Sequence, residues 1–145
     1  MTTAQHLATI DLLRTRAFPA GQERSGRVES GPGFHVGILA TSEDFWEDDG
    51  TRSLLVAEQY EAERDGLAAL FTVRWGPPRE LSLWYVLERI LDDEGMPEPW
   101  ADLSCHTPDL RLWRVDGRWI GIGVSQHDKE LPFELLAVIT EVDPP

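Results

Sequence analysis

The sequence predicts a single α+β domain, mainly an antiparallel sheet with a C-terminal three-strand meander and a long helix packed on one face. Three features carry that expectation. An Asp116-Gly117 turn sits between two alternating runs, the stretch from Arg52 to Trp75 has helical spacing and a sharp stop, and the run from Pro132 to Val142 is apolar on both faces. At 145 residues the chain can bury one core without disulfides or a metal.

Residues 4–17 place Leu7, Ile10, Leu13 and Ala17 at helical spacing behind Thr2 and Thr3, residue types that cap helix N-termini. "FPAGQERSGRVESGPG", Phe18 to Gly33, mixes Gly, Pro and Ser with charges and has no apolar period, so it reads as a flexible connection. The expected division is therefore residues 1–33, N-terminal helix and connection, and residues 34–145, the α+β domain. "FHVGILA", Phe34 to Ala40, is a short apolar run bounded by turn residues, the pattern of a buried strand.

From Arg52, apolar Val56, Tyr60, Leu67, Leu70 and Phe71 recur at helical intervals up to "WGPP", where Gly76 suits the left-handed residue past a helix end and two prolines forbid continuation. Asp65-Gly66 is the dipeptide of a tight turn, but Ala57, Ala62, Ala68 and Ala69 favour one long helix through it. "RELSL" (Arg79 to Leu83) alternates as a strand does, and "WYVLERILDDEG" (Trp84 to Gly95) sets Trp84, Leu87 and Leu91 on one helical face. "MPEPWADLSCHTP" (Met96 to Pro108) reads as a proline-rich connection.

The two-residue Asp-Gly loop fixes a hairpin register in which Val115 faces Arg118, Arg114 faces Trp119, Trp113 faces Ile120 and Leu112 faces Gly121. Trp113, Val115, Ile120, Ile122 and Val124 then form the core face. The other face carries Arg114 over the Trp119 ring, followed by Gly121, Gly123 and Ser125. The last run places Phe133, Leu135, Ala137 and Ile139 on one side and Leu136, Val138 and Val142 on the other, which marks a central strand.

The formal net charge of −13 disfavours binding to phosphate backbones and so argues against nucleic acid, while it attracts a basic protein partner. The one cysteine, Cys105, precludes an intrachain disulfide and suits a cytoplasmic location. No basic start with an apolar stretch opens the chain, and no apolar run has membrane-spanning length, so neither export nor a membrane is expected. Six tryptophans offer large surfaces for a core, or for the joint of a homodimer.

Motifs for chemistry are incomplete. "TSEDFWEDDGT" (Thr41 to Thr51) is the densest acidic cluster, yet with Gly50 at the sixth position of a calcium loop, ligand positions fall on Phe45, Glu47, Asp49 and Val56, of which Phe45 and Val56 cannot ligate. It reads instead as a solvated loop before a helix N-terminus, with Trp46, Glu47, Asp48 and Asp49 as a partner-binding surface. Gly121-x-Gly123 lacks the third glycine and the following helix of a dinucleotide fingerprint, because Gln126 stands there and a strand follows. The two glycines instead bare one face of a strand, so that Trp119, Gly121, Gly123, His127 and Asp128 form an alternative ligand-binding or hydrolytic pocket. Cys105-His106 is adjacent in sequence only, and His6, His35, His106 and His127 lack the spacing of a metal site, so no catalytic residue, cofactor or metal is expected.

In "LAALFTVRWGPP" and "LRLWRVDGRWIGIGVSQHDKELPFELLAVI" the chain resembles a group of small acidic proteins of high-GC actinobacteria, streptomycete in type, for which no activity is known. The resemblance spans about residues 43–142 and implies a cytoplasmic single domain without assigning site residues. The element order is also similar to that of bacterial immunity and secretion-chaperone proteins, a likeness of fold from which no function follows. Together these readings favour a non-catalytic interaction domain, inhibitor- or chaperone-like, with the pocket at the bare glycine face as the alternative.

Overall fold

The computed structural model describes residues 2–145 and shows four helices and a seven-stranded, wholly antiparallel sheet. The organising unit is the hairpin of β5 (Asp109–Val115) and β6 (Arg118–Gln126), whose register pairs Val115 with Arg118 and Leu112 with Gly121, as the two-residue turn requires. Asp116 and Gly117 have φ of 52° and 79°, the left-handed pair of a primed turn. β7 (Phe133–Thr140) continues the meander along β6, and then pairs on its other edge with β3 (Phe34–Thr41).

The order across the sheet is β1-β2-β3-β7-β6-β5-β4. β4 is Arg79–Ser82, and the opposite edge is made by β1 (Glu23–Ser25) and β2 (Val28–Gly31). These last two strands correct the expected flexible connection. Residues 18–33 were unreadable as strands because Glu23, Arg24 and Ser25 are all exposed and no apolar alternation exists, which is how an edge strand avoids recruiting another chain. The segment is fastened by His35, whose Nε2–H donates to the Arg16 carbonyl at 3.2 Å while Nδ1 accepts from the Ser30 hydroxyl at 2.6 Å. Nor do residues 1–33 stand apart: α1 (Thr3–Leu13), capped by Thr2 and shorter than its expected extent, buries Ile10 and Leu13 in the common core.

Helices pack on both faces of the sheet. On the first, α1 and α2 (Thr51–Trp75) pack Val56, Tyr60, Leu67 and Phe71 against Trp113, Ile120, Ile122, Leu135, Ala137 and Ile139. α2 runs unbroken through Asp65-Gly66 and stops at Gly76, whose φ of 89° takes the chain out of the helix before the prolines. On the second face, α3 (Trp84–Leu91) and α4 (Trp100–Ser104) pack Val86, Trp100 and Leu103 against Leu110, Leu112, Leu136 and Val138. α4 replaces the expected proline-rich connection, and it forms because Trp100 and Leu103 bury almost completely there while the Trp100 Nε1–H reaches the Val142 carbonyl at 3.2 Å.

The face of the hairpin expected to lie outside the core is thus a second core. One cross-strand row on it runs Arg24, Glu29, Val36, Val138, Gly121, Leu112 and Arg79, one residue from each of the seven strands. Leu112 and Val138 lean together over Gly121, and a Cβ there would stand 2.7 Å from a methyl of each. Gly121→Ala is accordingly expected to lower unfolding free energy by about 1–3 kcal/mol through overpacking. Gly66 lies mid-helix with nothing within 4 Å of a Cβ, so Gly66→Ala should raise stability by about 0.5–1 kcal/mol. Urea unfolding of both variants checks the opposite signs.

Candidate functional site

The acidic loop between β3 and α2 is tied down at several points. Phe45 buries against Phe133, with ring centroids 5.6 Å apart, while its amide donates to the Glu130 carbonyl at 2.9 Å. Ser42 bridges to Phe133 in both directions, each bond 2.9 Å long. With Phe45 turned inward, the next side chain points out: Trp46 is 62% exposed and stands between two shallow depressions of about 510 and 310 Å³. Glu43, Asp44 and Glu47 rim the larger one, with Arg52 held to Glu43 at 2.8 Å.

The four residues expected to bind a partner therefore divide into two pairs. Trp46 and Glu47 are offered to solvent. The Asp48 carboxylate accepts from the amides of Gly50, Arg52 and Ser53 at 2.9–3.0 Å, and Asp49 from that of Thr51 at 3.0 Å, so both serve the start of α2. The Ser53 amide foremost, with those of Arg52 and Gly50, holds the Asp48 carboxyl below the ordinary carboxylate range, and the Thr51 amide does the same for Asp49. Gly50 itself, at φ 101°, offers no side-chain cap, so Asp48 supplies one from two residues upstream.

The five residues of the alternative pocket are not gathered into one. Gly121 is closed by Leu112 and Val138, and a Cβ on Gly123 would meet Leu110 at 2.8 Å and the Asp109 carbonyl at 2.9 Å, so no concavity opens above them. Trp119 lies between Arg114 (5.2 Å) and Arg79 (5.8 Å), and its Nε1–H donates to Asp143 at 2.9 Å, fastening the C-terminal segment. His127 turns from Asp128 to Glu134, with Nε2 and Oε1 3.4 Å apart. The Asp128 carbonyl accepts the Leu131 amide within the turn.

His127 instead enters a different cleft, of about 300 Å³, on the second face of the sheet. Its ring stacks on His106 with centroids 4.1 Å apart. His106 Nε2 lies 3.3 Å from Asp102 and Nδ1 lies 3.1 Å from the Thr107 hydroxyl. Val36, Ile38 and Leu136 make the floor, and Arg24, Arg27 and Glu29 stand on the far side, from the β1–β2 hairpin. Burial, then the neighbouring His127, pushes the His106 pKa below the usual imidazole value despite Asp102 and Glu134.

Asp102, His106 and Thr107 have the residue types of a nucleophilic relay, but Thr107 is 1% exposed and its hydroxyl lies out of a substrate's reach. Cys105 Sγ faces the Ala101 carbonyl at 3.5 Å while the ring of His106 turns to Asp102, so that adjacent pair forms no dyad. Among the described residues no three His, Cys, Asp or Glu side chains converge as a metal site, and no helix is long and apolar enough to cross a membrane. Of the five residues expected at the glycine pocket His127 alone lines this cleft, and Asp102, His106, Glu134, Arg24 and Arg27 join it from positions that no sequence pattern brings together. The available signal was alternation along β7, which puts Glu134 on the same side as Leu136. No known protein family, curated protein or solved structure matches the chain.

Two expectations follow from these local geometries. Asp48→Ala should speed hydrogen exchange of the Gly50, Arg52 and Ser53 amides while leaving the centre of α2 protected. Burial lowers the pKa of His6, His35 and His106 from 6.5, so the folded chain keeps them neutral where the unfolded chain takes up protons. Their contribution is complete above pH 6.5 and is lost as pH falls through the lower folded values. The urea midpoint should decline below that pH, and His35→Gln, though less stable throughout, should show a shallower decline.

Proposed function

We propose that the chain is a non-catalytic interaction domain of the cytoplasm that presents the acidic surface around Trp46 to a basic protein partner. The observation that carries this reading is an indole left 62% exposed on a backbone anchored by buried Phe45. A large aromatic on a fixed backbone binds without first losing much freedom, which is the character of an interface anchor. Glu43, Asp44 and Glu47 around it favour a cationic counterpart, and an arginine of the partner can lie over the ring. The overall charge of −13 steers such a partner from a distance.

A side chain already committed to α2 is a poor probe of this surface, so the informative changes are Trp46→Ala and the joint reversal Asp44→Lys/Glu47→Lys. Partners recovered on the immobilised wild-type chain should be basic, should bind more weakly at high salt, and should lose at least about tenfold in affinity to either variant when purified, the scale of one central aromatic or several charges. Equal binding of every recovered partner by wild type and both variants would remove the reading.

A further inference from the structure

We propose that the cleft between the β1–β2 hairpin and the end of α4 binds a small zwitterion with an apolar side chain, an α-amino acid in chemical class. Its carboxylate would lie toward Arg24 and Arg27, its ammonium toward Glu134 and Asp102, and its side chain on the floor. Three features of the cleft select this class.

The first is the separation of charge. Arg27 donates to the Thr41 hydroxyl, and among the described residues no carboxylate lies within 4.0 Å of its guanidinium. Arg24 has only Glu29, at 3.6 Å and highly exposed. Across β3 from them stand Glu134 and Asp102, each facing one imidazole of the stacked pair rather than a guanidinium. Arg24 and Arg27, with Glu29 beside Arg24, therefore stand on the hairpin side of the cleft, and Glu134, on the strand beyond β3, stands opposite with Asp102 of α4. A dianion would meet the carboxylates and a dication the arginines, whereas a molecule with one charge of each sign satisfies both.

The second is the floor. Val36 and Ile38 are half-buried on β3, and the buried Leu136 lies beside them in register with Ile38. An apolar base with a few convergent polar groups is the general form of a small-molecule site. The third is size. About 300 Å³ sits at the lower end of the range for ligand pockets, about 300–1,000 Å³, and suits a molecule of a few heavy atoms beyond its charged ends.

The test is an amide-shift titration of the full chain with leucine, and in parallel with N-acetylleucine, which lacks the ammonium, and leucinamide, which lacks the carboxylate. Leucine should perturb amides of Val36, Ile38, Leu136 and His127 and saturate at millimolar concentration or below. Both derivatives should bind at least about tenfold more weakly, the cost of leaving one charge partner unmet. Arg27→Met and Glu134→Gln should each weaken leucine by a similar factor, and Trp46→Ala should leave it unchanged, which separates this site from the acidic surface. No saturable shift at the cleft with leucine, isoleucine, methionine or phenylalanine would overturn the proposal. So would equal binding of leucinamide, which would mark a peptide N-terminus, or of N-acetylleucine, which would mark a plain anion site. The derivatives probe the unaltered chain, so the result stands even where a variant fails to fold.

Discussion

Because β7 is the fourth of seven strands and carries apolar side chains on both faces, each covering layer rests on it or on a strand hydrogen-bonded to it. Leu135, Ala137 and Ile139 hold the layer of α1 and α2, and Leu136 and Val138 hold that of α3 and α4. A one-residue slip in either of its ladders would exchange these sets and place Glu134 among the apolar side chains under α2. The register is consequently specified from both sides. It is also what sets Glu134 opposite Thr41, and with it the acidic side of the cleft and the anchor of Arg27.

The two glycines of β6 are part of the same constraint. A residue with a side chain at position 121 would have to share space with Leu112 and Val138, its partners on either side. Removing the side chain lets those two close over the strand, so that α3 and α4 meet a smooth apolar surface. The glycines look like a bare face in sequence and are a filled one in space. Their function is packing, and the open volume on this side of the sheet lies at β3, where Val36 and Ile38 are half-buried at the edge of the cluster under α3 and α4.

What the sequence made legible were features fixed by local chemistry. A two-residue Asp-Gly turn leaves one register, a glycine followed by two prolines leaves one helix end, and a strand apolar on both faces has only a central place. The features it hid were those whose signal is carried by something else. β1 and β2 are polar on the exposed side, as edge strands are, and so resemble a loop. α4 has five residues between prolines and owes its helix to the burial of Trp100 and Leu103. The cleft draws Arg24, Val36, Asp102, His127 and Glu134 from five separate segments, a proximity no spacing rule contains. Trp46 was readable as part of an acidic-aromatic cluster, whereas the division of labour within that cluster depended on where the first amides of α2 point.

Unequal coverage of the two faces explains why a cleft exists at all. The 25 residues of α2 and the 11 of α1 suffice to cover the first face, with Gly37 admitting a Leu13 methyl that would stand 2.9 Å from any Cβ there. The second face has only the eight and five residues of α3 and α4, and these lie over the β4–β7 end. At the β1–β3 end Val36 and Ile38 are only half-buried, and a partly open apolar strip is usually lost to collapse of the surrounding side chains or to pairing with another chain. Here the charged groups at the rim have partners on their own side of the gap: Arg27 has Thr41, Arg24 has Glu29, Glu134 has His127 and Asp102 has His106. The imidazoles stack on one another with centroids 4.1 Å apart on the side of Asp102 and Glu134. Charged groups fixed by neighbours on their own side of the gap, rather than by one another across it, are the preorganisation a weakly held small zwitterion would need.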